Sequence, residues 1–128
     1  MILLDTCILL WLASDSDEIS DIAAGAIRRH AGELAVSAIS AWEIGIKSAK
    51  GHLELLLPVD AWFQRACDRH GVRPISIDHH QAVASTCLPR IHADPADRMI
   101  IALAIEKNIP VVTPDTHFSE YPGLQVIW

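Results

Sequence analysis

The sequence predicts an α/β fold, with a mostly parallel central sheet covered by helices on both faces. Two observations carry this reading. Short apolar runs of strand length alternate along the chain with stretches of helical periodicity. The turn and capping residues between them fall where such elements should begin and end.

Met1 to Asp5 reads as a short apolar strand, and Thr6 to Ala13 as a first short helix. Asp15, Ser16 and Asp17 supply turn and capping chemistry. A helix is expected from about Glu18 to His30, with Ile19, Ile22, Ala23, Ala26 and Ile27 on one face. Leu34 to Val36 is a second strand. Ser37 or Ser40 can cap a helix that runs to about Lys50, where Gly51 stops it. Pro58 opens a helix through His70, and Gly71 ends it. Val72 to Ile77 alternates as a strand. Asp78 caps a helix through about Cys87, and Leu88 to Ala93 is a loop. Asp94 and Pro95, at N-cap and N1, start a helix that reaches Lys107. Val111 to Thr113 is a strand, and Leu124 to Ile127 a last, edge strand. No repeat, linker or low-complexity segment interrupts the series, so residues 1–128 are expected to form one domain.

Composition excludes some classes. Hydrophobic residues make up 51% of the chain and mean hydropathy is +0.27, so much of it must be buried or lie in an interface. The longest apolar runs, Cys7 to Ala13 and Met99 to Ile105, are seven residues each, too short to span a membrane. No Lys or Arg precedes the first apolar stretch and Asp5 interrupts it, which argues against a signal peptide. Cys7, Cys67 and Cys87 are odd in number and lack any CxxC spacing. They read as buried thiols of a cytoplasmic protein, not as a disulfide frame or a zinc site. The net charge of −6 disfavours tight binding to a polyanion unless bound metal offsets it, and suits a basic protein partner.

Four acids sit where a carboxylate is costly unless a cation meets it: Asp5, Glu43, Asp97 and Asp115. Asp5 and Asp115 fall at or just past strand ends, where open parallel sheets bind ligands. Each also has a plain reading, Asp5 as a helix cap and Asp115 as a turn residue after Pro114. Glu43 shares a helical stripe with Ile39, Trp42 and Ile46, an acid on a core-facing side. Its pairing with Lys47 would contribute only about 0.3–0.5 kcal/mol, too little to explain the placement. Asp97 shares a face with Ile100, Ile101 and Ala104. Asp94 is the N-cap of that helix and a candidate outer-shell acid. Meeting in one place, such carboxylates call for a hard divalent cation, Mg²⁺ or Mn²⁺, which can activate water against a phosphodiester. His92 and His117 lie beside these acids and could touch substrate; His79 and His80 read as surface residues. Lys47, Lys50, Arg90 and Arg98 flank the proposed cleft. Trp11, Trp42, Trp62, Phe63 and Trp128 read as core or interface anchors.

MILLDTCILLWLA, VSAISAWEIGIKSAKGHL, HADPADRMIIALA and VVTPDTHFSEYPGLQVIW together resemble the PIN domain, in its VapC-type form: toxin ribonucleases of toxin–antitoxin pairs. The resemblance spans nearly the whole chain. It implies a PIN-like three-layer α/β/α architecture and places the family's acidic quartet on Asp5, Glu43, Asp97 and Asp115. It also points to hydroxyls at Thr6 and Thr113. The family implies a Mg²⁺- or Mn²⁺-dependent endoribonuclease, a homodimer that joins a small cognate antitoxin in a hetero-oligomer. The mechanism expected from it has one ion held mainly by Asp5 and Asp97 with Glu43, and a second supported by Asp115. Cys7 stands where relatives carry a polar residue, and Pro114 immediately precedes Asp115. Two other readings compete: a PIN-like module that only binds protein, and a receiver-like Mg²⁺-binding signalling domain with Asp78 as phosphoacceptor. The receiver pattern lacks its paired acids after the first strand and its Lys after the last.

Overall fold

The computed structural model describes residues 1–128 and contains five strands and six α-helices. The strands are β1 (Ile2–Leu4), β2 (Leu34–Ser37), β3 (Val72–Ile75), β4 (Val111–Val112) and β5 (Val126–Ile127). The helices are α1 (Thr6–Ala13), α2 (Asp21–Arg29), α3 (Ala38–Ala49), α4 (Val59–His70), α5 (His79–Thr86) and α6 (Pro95–Lys107). The sheet order is β3-β2-β1-β4-β5, and every pairing is parallel. A three-layer α/β/α arrangement results, with β1 at the centre of the sheet.

The period-two alternation of the strands divides the core in two. Ile2 and Leu4 of β1, Leu34 and Val36 of β2 and Val112 of β4 pack with α1, α2 and α4 on one face. Leu3, Ala35 and Val111 point the other way, against Ile100, Ile101, Leu103 and Ala104 of α6 and against Phe118 and Tyr121. The central strands are buried along their length, which explains sequences that are apolar but for Ser37 at the end of β2. Pro74, which has no N–H to offer a ladder, lies in the edge strand β3. The chain builds outward from β1 to β3 on one side, then returns to add β4 and β5 on the other. The crevice of an open α/β sheet lies at this reversal, beyond the carboxyl ends of β1 and β4.

Several expectations need correction. α2 begins at Asp21, not Glu18, because the Ser20 hydroxyl caps it by accepting from the Ala23 N–H. Ile22 is 65% exposed and does not share the buried face of Ala23 and Ala26. β3 stops at Ile75, two residues early, ahead of the Asp78 cap of α5. A 3₁₀ turn over Thr116–Glu120, capped by Asp115, was not expected. Cys67 is buried, but Cys7 is half-buried and Cys87 is exposed, so the thiols do not form one buried class. No helix is long and apolar enough to cross a membrane.

The caps of α6 bear on the site that follows. Asp94 Oδ1 accepts from the Ala96 and Asp97 N–H groups at 2.8 and 3.3 Å, with Pro95 at N1. Asn108 closes the helix at φ 52°, a left-handed position that Asn tolerates. Asp94→Ala is therefore expected to lower stability by about 1 kcal/mol, while Asp94→Asn, an equivalent cap, stays near wild type. Denaturant titration of the two variants checks this; equal losses in both would show that charge, not capping, matters there.

Candidate active site

Asp5 follows β1 and caps α1, its Oδ1 accepting from the Thr6 N–H at 2.7 Å. The plain reading of Asp5 as a cap is thus correct, and it accounts for one oxygen only. Oδ2 accepts from the Thr113 hydroxyl at 2.7 Å, a bond between the ends of the two strands that flank the crevice. Thr113 in turn accepts from the Asp115 N–H at 3.1 Å, which fixes how the chain leaves β4. A second hydroxyl relay joins α1 to α3. Thr6 Oγ1 donates to Glu43 Oε1 at 2.8 Å and lies 2.8 Å from Ser40 Oγ, so the Ser40 hydroxyl donates to Thr6. Ser40 is fully buried. A Ser in an apolar helical stretch carries little sequence signal beyond capping, and sequence reasoning considered it only in that role.

The stripe that carries Glu43 does not face the core as periodicity suggested. Trp42 is 56% exposed and Ile46 is 37% exposed, and the buried positions of α3 are Ser40 and Ile44. Glu43 sits at the border of that buried face, with its side chain 17% exposed. Its Oε2 faces Lys47 Nζ at 3.7 Å, and Lys47 is the one Lys or Arg within ion-pair distance of Asp5, Glu43, Asp97 or Asp115.

Asp97 projects from the first turn of α6, and its Oδ2 meets His92 Nε2 at 2.8 Å. The same nitrogen lies 3.2 Å from Asp115 Oδ2. Asp115 Oδ1 accepts from the peptide N–H and ring Nδ1 of His117, each at 2.9 Å. Both histidines placed beside the acids by sequence thus touch them. Asp94 remains a cap and contributes a like charge to the neighbourhood of Asp97 and Glu43.

Arg98 has a different place from the one expected. Its guanidinium donates to the carbonyls of Ser85, Leu88, Pro89 and His92 at 2.9, 3.0, 2.9 and 3.3 Å. It also reaches the Tyr121 hydroxyl at 3.4 Å. That hydroxyl accepts from the His92 N–H at 2.8 Å. Arg98 and Tyr121 therefore hold the loop that presents His92, and the arginine's donors are spent on the chain's own carbonyls. Tyr121 was not singled out by sequence reasoning; its partners lie 23 and 29 residues away, where no local pattern could point to them. Asp78, the receiver-like candidate, is exposed and caps α5 by accepting from the Gln81 N–H at 2.9 Å.

The charges are unevenly met. Burial raises the Asp5 carboxyl, against the pull of its Thr113 and Thr6 hydrogen bonds. Burial likewise raises Glu43, with Thr6 and Lys47 opposing. Asp97 is pushed up to about 8 by burial and then by Asp5, Asp94, Glu43 and Asp115. The His92 Nε2 that lies 2.8 Å from Asp97 is shared with Asp115. Asp115 is the exception: burial raises it, yet the His117 peptide, the His117 ring and His92 together hold it below the ordinary range. The Cys7 thiol, pushed to about 12 by burial and by Asp5, is a neutral filler here. Three carboxylates with a single lysine beside them fit a hard divalent ion. Asp5, Glu43 and Asp97 are set wider than the compact group of His92, Asp115 and His117, whose ligand atoms lie within 4.8 Å of one another. A wide set of carboxylates suits an ion that keeps several of its waters, as Mg²⁺ does.

The PIN domain family model matches residues 2–124. Ribonuclease VapC22 of Mycobacterium tuberculosis is 34% identical, over 99% of this chain and 98% of that protein. Among solved structures, VapBC2 from Rickettsia felis bound to a promoter DNA fragment aligns with a TM-score of 0.72 at 18% identity, covering 98% of this chain and 97% of that one. A toxin–antitoxin complex from Klebsiella pneumoniae aligns with a TM-score of 0.69 at 24% identity, covering 97% and 95%. At these identities the two structures speak for the fold.

The charge pattern has a consequence for stability. An acid raised in the folded state binds an extra proton there between its unfolded value, near 3.8, and its folded value, about 8 for Asp97. Stability therefore falls as pH rises across that window. Asp5 and Glu43 add in the same direction. The depressed Asp115 loses its contribution only on the acid side, so it does not offset the decline. In EDTA, thermal midpoints should fall from pH 5 toward pH 8, and Asp97→Asn should flatten the fall. Saturating Mn²⁺ should restore the midpoint most at the alkaline end, since a ligand that binds only the native state stabilises it by mass action. A midpoint that rises with pH in EDTA, or ignores Mn²⁺, would contradict this account of the cluster.

Proposed function

The chain belongs to the PIN domain family, and from that premise we propose that it is a divalent-metal-dependent endoribonuclease acting as the toxin of a toxin–antitoxin pair. The observation that carries the reading is the convergence of Asp5, Glu43 and Asp97 at the carboxyl end of the sheet, with Lys47 beside Glu43 as the one Lys or Arg within ion-pair distance. Mg²⁺ or Mn²⁺ is the cofactor this donor set fits, held by Asp5, Glu43 and Asp97, with Asp115 at the far side of the cluster.

Such an ion, when bound, lowers the pKa of a coordinated water and polarises the phosphoryl oxygens of an RNA phosphodiester. The chain's own residues do the positioning. Thr113 and the Thr6 N–H hold the Asp5 carboxylate in one orientation, from a strand end that cannot move without the sheet. The Ser40–Thr6–Glu43 relay locks the Glu43 rotamer and leaves Oε2 toward the cleft-side Lys47. Lys47 and Lys50, with Trp42, Asp94 and Pro95, line a groove of about 550 Å³ beside Glu43. Two lysines there supply phosphate contacts on a chain that is otherwise net acidic.

One of the structures named above is a toxin–antitoxin complex, and a comparable partner is inferred here. Two apolar hollows meet at Trp62, one lined by Leu10, Trp11, Leu53 and Leu55, the other by Leu56, Leu57, Arg65 and Arg69. They suit an amphipathic helix laid in a groove. A basic side chain extending from it among the acids would compete with the metal.

Asp5→Asn and Asp97→Asn should each reduce Mn²⁺-dependent cleavage of RNA to background while the fold persists by circular dichroism. Wild-type activity in either variant would sink the acid assignment, and no cleavage by the wild type with Mn²⁺ would favour a binding-only module. Expression of the chain alone should arrest growth, and co-expression of the small open reading frame beside its gene should relieve the arrest. An active nuclease that is harmless when expressed alone would refute the toxin role and leave the chemistry standing.

A further inference from the structure

The carboxylate oxygens of the cluster are not equally open to a cation. Asp5 Oδ1 and Oδ2 each accept one strong hydrogen bond, and Glu43 Oε1 accepts one. Each carboxylate offers about four lone-pair sites, so this side of the cluster keeps free acceptors. Asp97 Oδ1 has no donor within hydrogen-bond distance. The opposite side is more crowded. Asp115 Oδ1 accepts from both His117 donors, and Oδ2 faces His92. Asp97 Oδ2 faces the same His92 nitrogen.

The His92 tautomer gives this contact its sense. The Asp94 N–H lies 3.3 Å from His92 Nδ1, which must therefore accept. The ring hydrogen then sits on Nε2 and points at the two carboxylates. His92 presents a donor, not a lone pair, at the point between Asp97 and Asp115. The compact group of His92, Asp115 and His117 is thus a hydrogen-bonded arrangement in which both rings serve the carboxylate. Nor is His92 a loose rotamer. Tyr121 accepts from its peptide N–H and Arg98 donates to its carbonyl. Its ring lies edge-on to the buried Phe118 at 6.3 Å and against the His117 ring at 5.1 Å.

We propose that His92 occupies the place of a second divalent ion, so that the chain binds one ion, on the Asp5–Glu43–Asp97 side, while the imidazole N–H bridges Asp97 and Asp115. This rests on the reading of the cluster as a metal site, and it assigns Asp115 to the imidazoles. Where a second cation would hold the far carboxylates in a two-ion site, ring N–H donors of His92 and His117 hold them here. Arg98 and Tyr121 are the positioning residues that keep it there.

Counting ions tests this directly. The free Mn²⁺ signal in electron paramagnetic resonance, titrated against the full-length chain, gives the number bound. One ion per chain is expected for the wild type, and one for His92→Gln, whose amide keeps a donor. His92→Ala, which opens the Asp97–Asp115 pair, should bind two, with line broadening from the close ion pair. Two ions in the wild type would overturn the proposal whatever the variants do. So would a single ion in a folded His92→Ala. No binding at all to the wild type would instead remove the metal reading on which the proposal stands.

Discussion

Carboxylates of like charge, gathered at one edge of a sheet, are the constraint around which this molecule is arranged. Burial and mutual repulsion raise Asp5, Glu43 and Asp97, and Lys47 is the one Lys or Arg within ion-pair distance to meet them. The fold holds them there by stiff means. Asp5 is fixed by a strand end and a hydroxyl from the neighbouring strand, Glu43 by a buried hydroxyl relay, Asp97 by the first turn of a well-capped helix. Each support is a short hydrogen bond or a helix cap, so the chain retains the geometry even though the charges oppose it. Stability spent on holding such groups apart from solvent is the usual mark of a site built for a ligand.

Much of the architecture could be read from the sequence because it is written in local periodicity. All five strands and all six helices lie near their expected positions, since buried parallel strands are continuously apolar and the helix ends carry Asp, Ser, Pro, Gly or Asn in the appropriate places. The errors share a cause. Ile22 and Trp42 are apolar residues on faces left open to solvent, so a pattern that treats apolar as buried assigned them inward. That mistake also misplaced the argument for Glu43, which borders the buried face of α3 instead of lying on a core-facing stripe.

The site was legible in its acids and illegible in their supports. A carboxylate beside an apolar run is visible in one dimension; a hydroxyl donating across 108 positions, as Thr113 does to Asp5, is visible only when the strands are paired. Family resemblance pointed to Thr6 and Thr113, but neither Ser40 as a relay nor Tyr121 at all was within reach of spacing arguments. Arg98 shows the converse. Its neighbourhood suggested phosphate contact, whereas the nearest acceptors are carbonyls of the end of α5 and of the loop after it, whose path the sequence does not specify.

That loop carries an asymmetry between its side chains and its length. Four of the five groups that Arg98 engages are main-chain carbonyls, of Ser85, Leu88, Pro89 and His92. A carbonyl is the same whatever residue bears it, so sequence drift at these positions leaves the clamp intact. An insertion or deletion between them does not, because it changes which carbonyl reaches the guanidinium. Asp97 and Arg98 are also consecutive in one helical turn. The segment is thus free to vary in composition and constrained in residue count, and homologous chains should differ there by substitution and not by gaps.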